Sequence, residues 1–190
     1  MSDIRLDVAL VHYPVLDAQG QVSGSAVTNL DLHDIARAGR TYGVDTYWVV
    51  TPYEEQRRLV REIRAHWCEG RGGRVNPARA EALALIRDCA DLATLWLETT
   101  RKWGVRPRVL ATSARDQGAT LSFAAAGKHL RAGEPTLLLF GTSWGLAPEA
   151  LSQADGILPP IAGRGGYNHL AVRSAVSIVL DRLLGRGEEG

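Results

Sequence analysis

The sequence has little cysteine and no long apolar segment. Its two cysteines, Cys68 and Cys89, have neither metal-ligand spacing nor a CxxC pattern, which favours reduced thiols over a disulfide framework or a metal site. No apolar run approaches the ~18 residues that a membrane helix needs, and the N-terminal stretch lacks the apolar segment of a signal peptide. We therefore expect a cytoplasmic protein with no membrane association.

Lysine is also scarce, and the charge is nearly balanced. Lys102 and Lys128 are the only lysines among 22 basic residues, and the net charge is +1. No global field therefore draws the protein onto nucleic acid. A GC-rich genome is the simplest explanation for the excess of arginine, although arginine also suits phosphate and stacked bases.

Strand-like and helix-like segments alternate along the chain. Apolar or β-branched runs predict strands over 7–12, 45–51, 108–112, 135–140 and 156–158. Helical spacing predicts helices over 29–42, 54–68, 91–103, 118–131 and 168–184, with Asn29 or Asp31 able to cap the first. Residues 16–28 and 69–77 are interpreted as loops, and 80–89 as a short helix running into a strand. The pattern predicts a single α/β domain over 1–190, with a mostly parallel sheet of about six strands and helices on both faces.

Three consecutive strand ends are rich in glycine, proline and small polar residues, at 111–115, 140–149 and 157–169. Ligands of open α/β sheets gather at the C-terminal ends of strands, and glycine lets the backbone approach a ligand closely. Any one of these loops could be a simple turn, and GTSWG is neither a P-loop nor GxGxxG. Three such loops together favour a site that binds a nucleoside.

Two of these loops carry a family resemblance. GTSWGLAPE and ILPPIAGRGGYNHLAVRSAVSIVLDRL resemble the second and third motifs of the SPOUT methyltransferase superfamily, and TNLDLHDIARAGRTYGV resembles its N-terminal motif. The TSAR loop with YNHLAVRSA resembles small stand-alone bacterial members related to the C-terminal region of the tRNA guanine-N1 methyltransferases. The resemblance extends over about residues 7–184.

The resemblance implies a fold and an activity. It implies a deep trefoil knot and a cofactor pocket over about residues 108–184, in which bent S-adenosylmethionine is held and S-adenosylhomocysteine remains as the product. It also implies an RNA substrate, tRNA or rRNA, and a homodimer with the active site at the subunit interface. The alternatives are a catalytically silent RNA-binding or regulatory protein on a SPOUT-like fold, and an unrelated nucleotide-binding α/β protein.

The resemblance further implies roles for individual residues. The candidates for cofactor contacts are Ala111, Thr112, Ser113, Phe140, Gly141, Thr142, Trp144, Gly145, Leu146, Ile157, Leu158, Pro159, Ile161, Tyr167, Asn168, His169, Leu170 and Ser174. The candidates for catalysis are Arg164, His169, Asn168, Arg37 and Asp31. This sequence departs from the pattern at two places. Asp31 stands where many relatives have asparagine six residues before the motif arginine, and either Asn168 or His169 could occupy the usual asparagine place of the third motif.

Several candidates also have simpler explanations. Asn168 could cap the last helix, Arg37 and Arg40 could lie on a solvated helix face, and Arg173 could pair across a dimer or face water. If the acceptor must lose a proton, His169 or Asp31 could serve as the base, the latter from the partner subunit.

Residues 57–79 form the most basic stretch, with seven arginines against two acids. Basic and aromatic residues together suit RNA, so the candidates for RNA binding are Arg40, Arg57, Arg61, Arg71 and Arg74. The alternative is a charged amphipathic helix with Leu59, Ile63 and Trp67 on its buried face.

Overall fold

The computed structural model describes residues 4–185. The strands are β1 Leu6–Val11, β2 Val15–Leu16, β3 Val22–Ser23, β4 Thr46–Val50, β5 Ile86–Cys89, β6 Arg108–Ala111, β7 Thr136–Gly141 and β8 Gly156–Ile157. The helices are α1 Asn29–Tyr42, α2 Glu54–Cys68, α3 Arg71–Val75, α4 Pro77–Leu83, α5 Leu92–Trp103, α6 Phe123–Arg131, α7 Pro148–Leu151 and α8 Val172–Leu184. None of the helices in this part of the chain is long and apolar enough to cross a membrane.

Six strands pair in the order β5-β4-β1-β7-β6-β8, and every pairing is parallel. All residues of β1 and β4 are buried, as expected for strands covered on both faces. The predicted α/β class with a parallel six-stranded sheet is therefore confirmed.

Helices cover the sheet on both sides. On one side, α1, α2, α4, α6 and α8 pack apolar side chains such as Ile35, Leu130 and Leu180 against the sheet. On the other side, Leu95 of α5 and Ala150 of α7 pack against alternate residues of the same strands. Because successive residues of a strand point to opposite faces, each central strand supplies both cores.

Four segments differ from the sequence-based predictions. The helix predicted over 118–131 begins at Phe123, because Gly118 is left-handed and the Ser122 side chain accepts a hydrogen bond from the Ala125 N–H. The helix predicted over 168–184 begins only at Val172. The two predicted loops contain structure: α3 lies within 69–77, and β2 and β3 form an antiparallel hairpin within 15–23.

A buried ion pair lies near the N-terminal ends of the strands, far along the sheet from the predicted site. Lys102 of α5 donates from Nζ to Asp7 Oδ1 at 2.5 Å and to Thr46 Oγ1 at 2.7 Å. The Asp7 carboxylate also accepts a hydrogen bond from Trp48 Nε1 at 3.2 Å. Burial raises the pKa of Asp7, and the Lys102 ammonium opposes that rise. The contacts of Lys102 with Asp7 and Thr46 therefore stabilise the packing of α5 against β1 and β4.

We expect Lys102→Met to destabilise the fold by about 3 kcal/mol, because it leaves the fully buried Asp7 carboxylate without its counter-charge. Urea unfolding at neutral pH measures the change. Arg101→Met is the matched control, since Arg101 is exposed and its one ion pair within residues 4–185 is with Glu98. Adding Asp7→Asn to Lys102→Met should recover much of the loss. Equal stability of the Lys102→Met and Arg101→Met variants would show that the buried pair contributes nothing.

Candidate functional site

A pocket of about 710 Å³ opens where β6, β7 and β8 end. This volume is in the range of small-molecule and cofactor sites. Its wall includes many residues that the sequence singled out, namely Asp31, Thr112, Ser113, Phe140, Gly141, Thr142, Trp144, Gly145, Pro159, Ile161, Asn168, His169 and Leu170. The three loops that follow the C-terminal ends of these strands therefore converge on one cavity, as the sequence pattern predicts.

The loop after β7 is shaped by its backbone. A Cβ added to Gly141 would lie 2.5 Å from the Leu146 nitrogen, so no side chain fits there. Ser143 and Gly145 both have positive φ, at 52° and 103°. The hairpin strand β2 holds the loop in place, because Leu16 N–H donates to Gly145 O at 2.9 Å and Trp144 N–H donates to Leu16 O at 3.1 Å. The result is a tight turn with its backbone against the cavity.

The segment after β8 crosses the pocket as irregular chain before α8 begins. Asn168 donates from Nδ2 to the Ala114 carbonyl at 2.7 Å and so joins the loops that follow β8 and β6. The interpretation of Asn168 as the cap of the last helix is wrong, because the N-cap position is Ala171 and no side chain bonds there. The hydrogen bond to Ala114 instead ties residue 168 to another loop.

Residues 25 to 31 form a fourth wall, of which only Asp31 was predicted from the sequence as a site residue. Ser25, Ala26, Thr28 and Asp31 line the pocket. Thr28 caps α1, accepting from Asp31 N–H at 3.2 Å and donating its hydroxyl to Asp31 Oδ2 at 2.6 Å. Neither Asn29 nor Asp31 is the cap residue. The spacing Thr-x-x-Asp is that of a capping box with an acidic partner and was the available signal.

Asp31 forms an ion pair inside the pocket wall. Its side chain is 9% exposed, and Arg173 Nη1 lies 3.3 Å from Asp31 Oδ1. Arg173 Nε also lies 3.4 Å from Asp34 Oδ2. Asp31 therefore lines the pocket of its own chain. Arg173 does not simply face water but pairs within the chain, because α8 packs directly on α1.

His12 lies beneath the pocket at the end of β1 and is fully buried. Its Nδ1 is 2.9 Å from Ser25 Oγ, which is 2.5 Å from Thr142 Oγ1, and Thr142 Oγ1 donates to the Val11 carbonyl at 3.2 Å. Burial lowers the pKa of His12 to about 4. His12 is therefore neutral at pH 7 and links two walls of the pocket through the Ser25 and Thr142 hydroxyls.

The other cofactor candidates do not line the pocket. Ala111, Leu146 and Leu158 are buried beneath it, and Ile157 lies in strand β8. Ser174 is exposed on α8. Tyr167 is exposed, and its ring lies beside that of His169 at the mouth.

The arginine candidates lie mostly outside the pocket. Arg164 is exposed in the glycine-rich segment, and Arg37 lies in a separate groove that also contains His33 and Trp67. Arg57 and Arg61 pair with Glu54, and Arg40 pairs with Glu81. Acids that flank the basic stretch or come from other elements thus compensate much of its charge. In contrast, Arg71 and Arg74 are exposed and form no ion pair within the described residues.

The comparisons with known proteins agree with this geometry. Residues 5–185 match the model of a family described as SAM-dependent RNA methyltransferase. The chain belongs to this family. Among residues 4–185, no group of three or more His, Cys, Asp or Glu side chains could hold a metal ion.

Individual relatives extend the comparison. The chain is 46% identical over 181 residues to a tRNA (guanine-N(1)-)-methyltransferase of Oleidesulfovibrio alaskensis, and it spans 42% of that protein's length. It is 36% identical to a protein of Aquifex aeolicus, covering 98% of this chain and 91% of the relative. The crystal structure of the SpoU methyltransferase AviRb from Streptomyces viridochromogenes, in complex with AdoMet, is 16% identical with a TM-score of 0.59, covering 97% of this chain and 58% of that one. At this identity the likeness shows the fold, which is that of the SpoU-type SPOUT methyltransferases.

Gly141→Ala should distort the pocket, because the new Cβ would lie 2.5 Å from the Leu146 nitrogen. We expect S-adenosylhomocysteine binding, measured by calorimetry, to weaken by about a hundredfold, which corresponds to roughly 3 kcal/mol. Gly165→Ala is the control, since a Cβ at Gly165 meets nothing within 4 Å. Similar affinities of the two variants would contradict the backbone role of the β7 loop.

His12 should make stability pH-dependent below neutrality. Its pKa is about 4 in the folded protein against 6.5 for the free side chain, so the unfolded chain binds a proton first as the pH falls. The free energy of unfolding should therefore drop by about 3 kcal/mol between pH 7 and pH 4 from this residue alone. His12→Asn, which keeps a donor toward Ser25, should show a correspondingly shallower decline in urea unfolding. Parallel profiles for the two proteins would refute this assignment.

Proposed function

We propose that this chain transfers a methyl group from S-adenosylmethionine to RNA, and that its pocket holds the cofactor. The observation that carries the proposal is the convergence of the loops after β6, β7 and β8 on one cavity, in a chain whose residues 5–185 match the family model. The relatives named tRNA (guanine-N(1)-)-methyltransferase support tRNA as the class of substrate.

The residues present fit a cofactor with a nucleoside and a charged amino-acid end. Gly141 leaves room for close approach to the backbone, and Thr112 and Thr142 place hydroxyls at the wall. Phe140 and Ile161 supply apolar surface, and the Asp31–Arg173 pair supplies both signs of charge. Apolar walls with a few fixed polar groups are typical of such sites.

S-adenosylmethionine, when bound, supplies a methyl group on a positively charged sulfur to a nucleophile in line with the bond that breaks. The chain's own task is to hold the acceptor and to remove its proton if the acceptor is a ring N–H or a ribose hydroxyl. Asp31 suits that task, because its carboxylate is held by the Thr28 hydroxyl and by Arg173 and still has accepting positions free. His169 is the second candidate for the base, at the exposed mouth of the same pocket.

Other parts of the proposal concern assembly and topology. We propose a homodimer in which Arg37, remote from its own chain's pocket, contributes to the partner's site. The exposed side chains of Leu170 and Tyr13 near the pocket support a covered surface there. We also propose that the chain is a single cytoplasmic domain, that its C-terminal region forms the trefoil knot, and that Arg71, Arg74 and Arg164 contact RNA phosphates.

Two measurements test the function. Calorimetry with S-adenosylhomocysteine tests the cofactor, and radiolabelled S-adenosylmethionine with total tRNA and rRNA from a strain lacking the gene tests methyl transfer. Cofactor binding with transfer to RNA supports the proposal. Binding without transfer to any RNA would favour the catalytically silent alternative, and no binding at all would refute the cofactor assignment.

Asp31→Asn should lower methyl transfer by about a hundredfold, because the amide cannot take a proton. S-adenosylhomocysteine affinity should fall far less than the rate, since the neutral side chain keeps its size and its bond to Thr28. Asp34→Asn is the matched control, because Asp34 pairs with the same arginine but does not line the pocket. Single-turnover rates of the two variants at saturating cofactor make the comparison. If Asp31→Asn turns over as fast as Asp34→Asn, another group is the base.

A further inference from the structure

Four side chains from three loops form a cluster at the mouth of the pocket. The Arg115 guanidinium lies 5.6 Å from the centre of the Trp144 ring. The His169 ring lies 6.5 Å from Trp144 at an interplanar angle of 81°, and the Tyr167 ring lies 5.3 Å from His169 at 60°. Arg115 follows β6, Trp144 follows β7, and Tyr167 and His169 follow β8. We call these four residues the mouth cluster.

The packing of the fold does not require the mouth cluster. Trp144 is 48% exposed and Tyr167 is 79% exposed. The glycines before Tyr167 have open space around them, since a Cβ on Gly163, Gly165 or Gly166 meets nothing within 4 Å. A group of exposed aromatic side chains on a folded domain marks a surface that binds a ligand or another macromolecule.

We propose that the mouth cluster binds an unpaired nucleobase of the RNA substrate, stacked on the Trp144 ring and held by Arg115. This inference rests on the proposed function and adds the part of the site that receives the RNA. Trp144, Tyr167 and His169, which the sequence assigned to the cofactor, thereby become RNA contacts.

The chemistry of the mouth cluster favours an RNA nucleobase as its ligand. Single-stranded RNA is recognised by stacking of splayed-out bases on aromatic rings and arginine planes, and both groups are present here. Arg115 has no ion pair within residues 4–185, so its charge is available for RNA phosphate or for the face of a base. The buried wall around Asp31 and Arg173, in contrast, has its charges already paired.

The position of the mouth cluster indicates that the bound nucleotide lies close to the reaction centre. Arg115, Trp144 and His169 all line the pocket and extend to its exposed side. A base stacked there is held next to the cavity that we assign to the methyl donor. A base within a duplex could not reach the Trp144 face, so the cluster fits a loop, a bulge or a flipped-out nucleotide.

The test compares RNA and cofactor binding in the same variants. Anisotropy of a fluorescently labelled, unstructured RNA oligonucleotide is titrated with wild type, Trp144→Ala, Trp144→Phe and Arg115→Ala at one fixed salt concentration. S-adenosylhomocysteine binding is measured in parallel by calorimetry. We expect Trp144→Ala to bind RNA about tenfold more weakly, Trp144→Phe to retain most of the affinity, and the affinity for S-adenosylhomocysteine to fall much less than the affinity for RNA. Leu97→Ala, an exposed apolar residue on α5, is the control and should change neither affinity.

Three outcomes would overturn the inference. Loss of S-adenosylhomocysteine affinity with unchanged RNA affinity in Trp144→Ala would make the cluster a wall of the cofactor site. A change of oligomeric state in that variant, seen by sedimentation, would make it an interface between copies of the chain. Unchanged RNA affinity in both Trp144→Ala and Arg115→Ala would exclude a stacking role. Failure of the proposed function is distinguishable, because it would be seen in the wild type as absent cofactor binding or absent methyl transfer.

Discussion

Parallel pairing of β1, β6 and β7 within one buried sheet is the constraint on which the site depends. The register places Val11 beside Gly141 and Ala111 beside Leu139, so these strands end at the same edge. The loops after β1, β6 and β7 therefore begin from strands that are hydrogen-bonded to neighbours on both sides. The cavity can therefore be lined by irregular chain, because the points at which these loops leave the sheet do not move.

Polar contacts between loops hold the parts of the pocket wall that the sheet itself does not fix. The His12–Ser25–Thr142 chain, the Asn168 bond to Ala114 and the Asp31–Arg173 pair each join elements far apart in sequence. All three involve residues of the pocket wall or its floor. The groups that shape the pocket are thus held by one another as well as by the core, which is the arrangement that a pre-organised binding site requires.

The alternation of apolar runs and helical spacing was sufficient to predict the parallel sheet, its strand number and the helices on both faces. Glycine and proline at the strand ends were sufficient to locate the loops of the pocket. Sequence could not show that Thr28 and Ser25 complete the wall, because their place depends on how α1 packs against α8 and on the bond between Ser25 and Thr142, 117 positions apart. It also placed the start of α8 too early, since the bond from Asn168 to Ala114 depends on a residue 54 positions away in the chain.

The ion pairs of Arg40 and of the basic stretch bear on the proposed binding of RNA. Arg40, Arg57 and Arg61 already hold carboxylates, so phosphates that approach them exchange one partner for another. Few bound cations would then leave the RNA on association, and the dependence of affinity on salt would be shallow. Discrimination between RNAs would rest on which nucleotides are unpaired and not on how much charge they carry. On the proposed function, a balanced surface of this kind would reduce adhesion to the bulk of cellular RNA and leave recognition to the loops around the pocket.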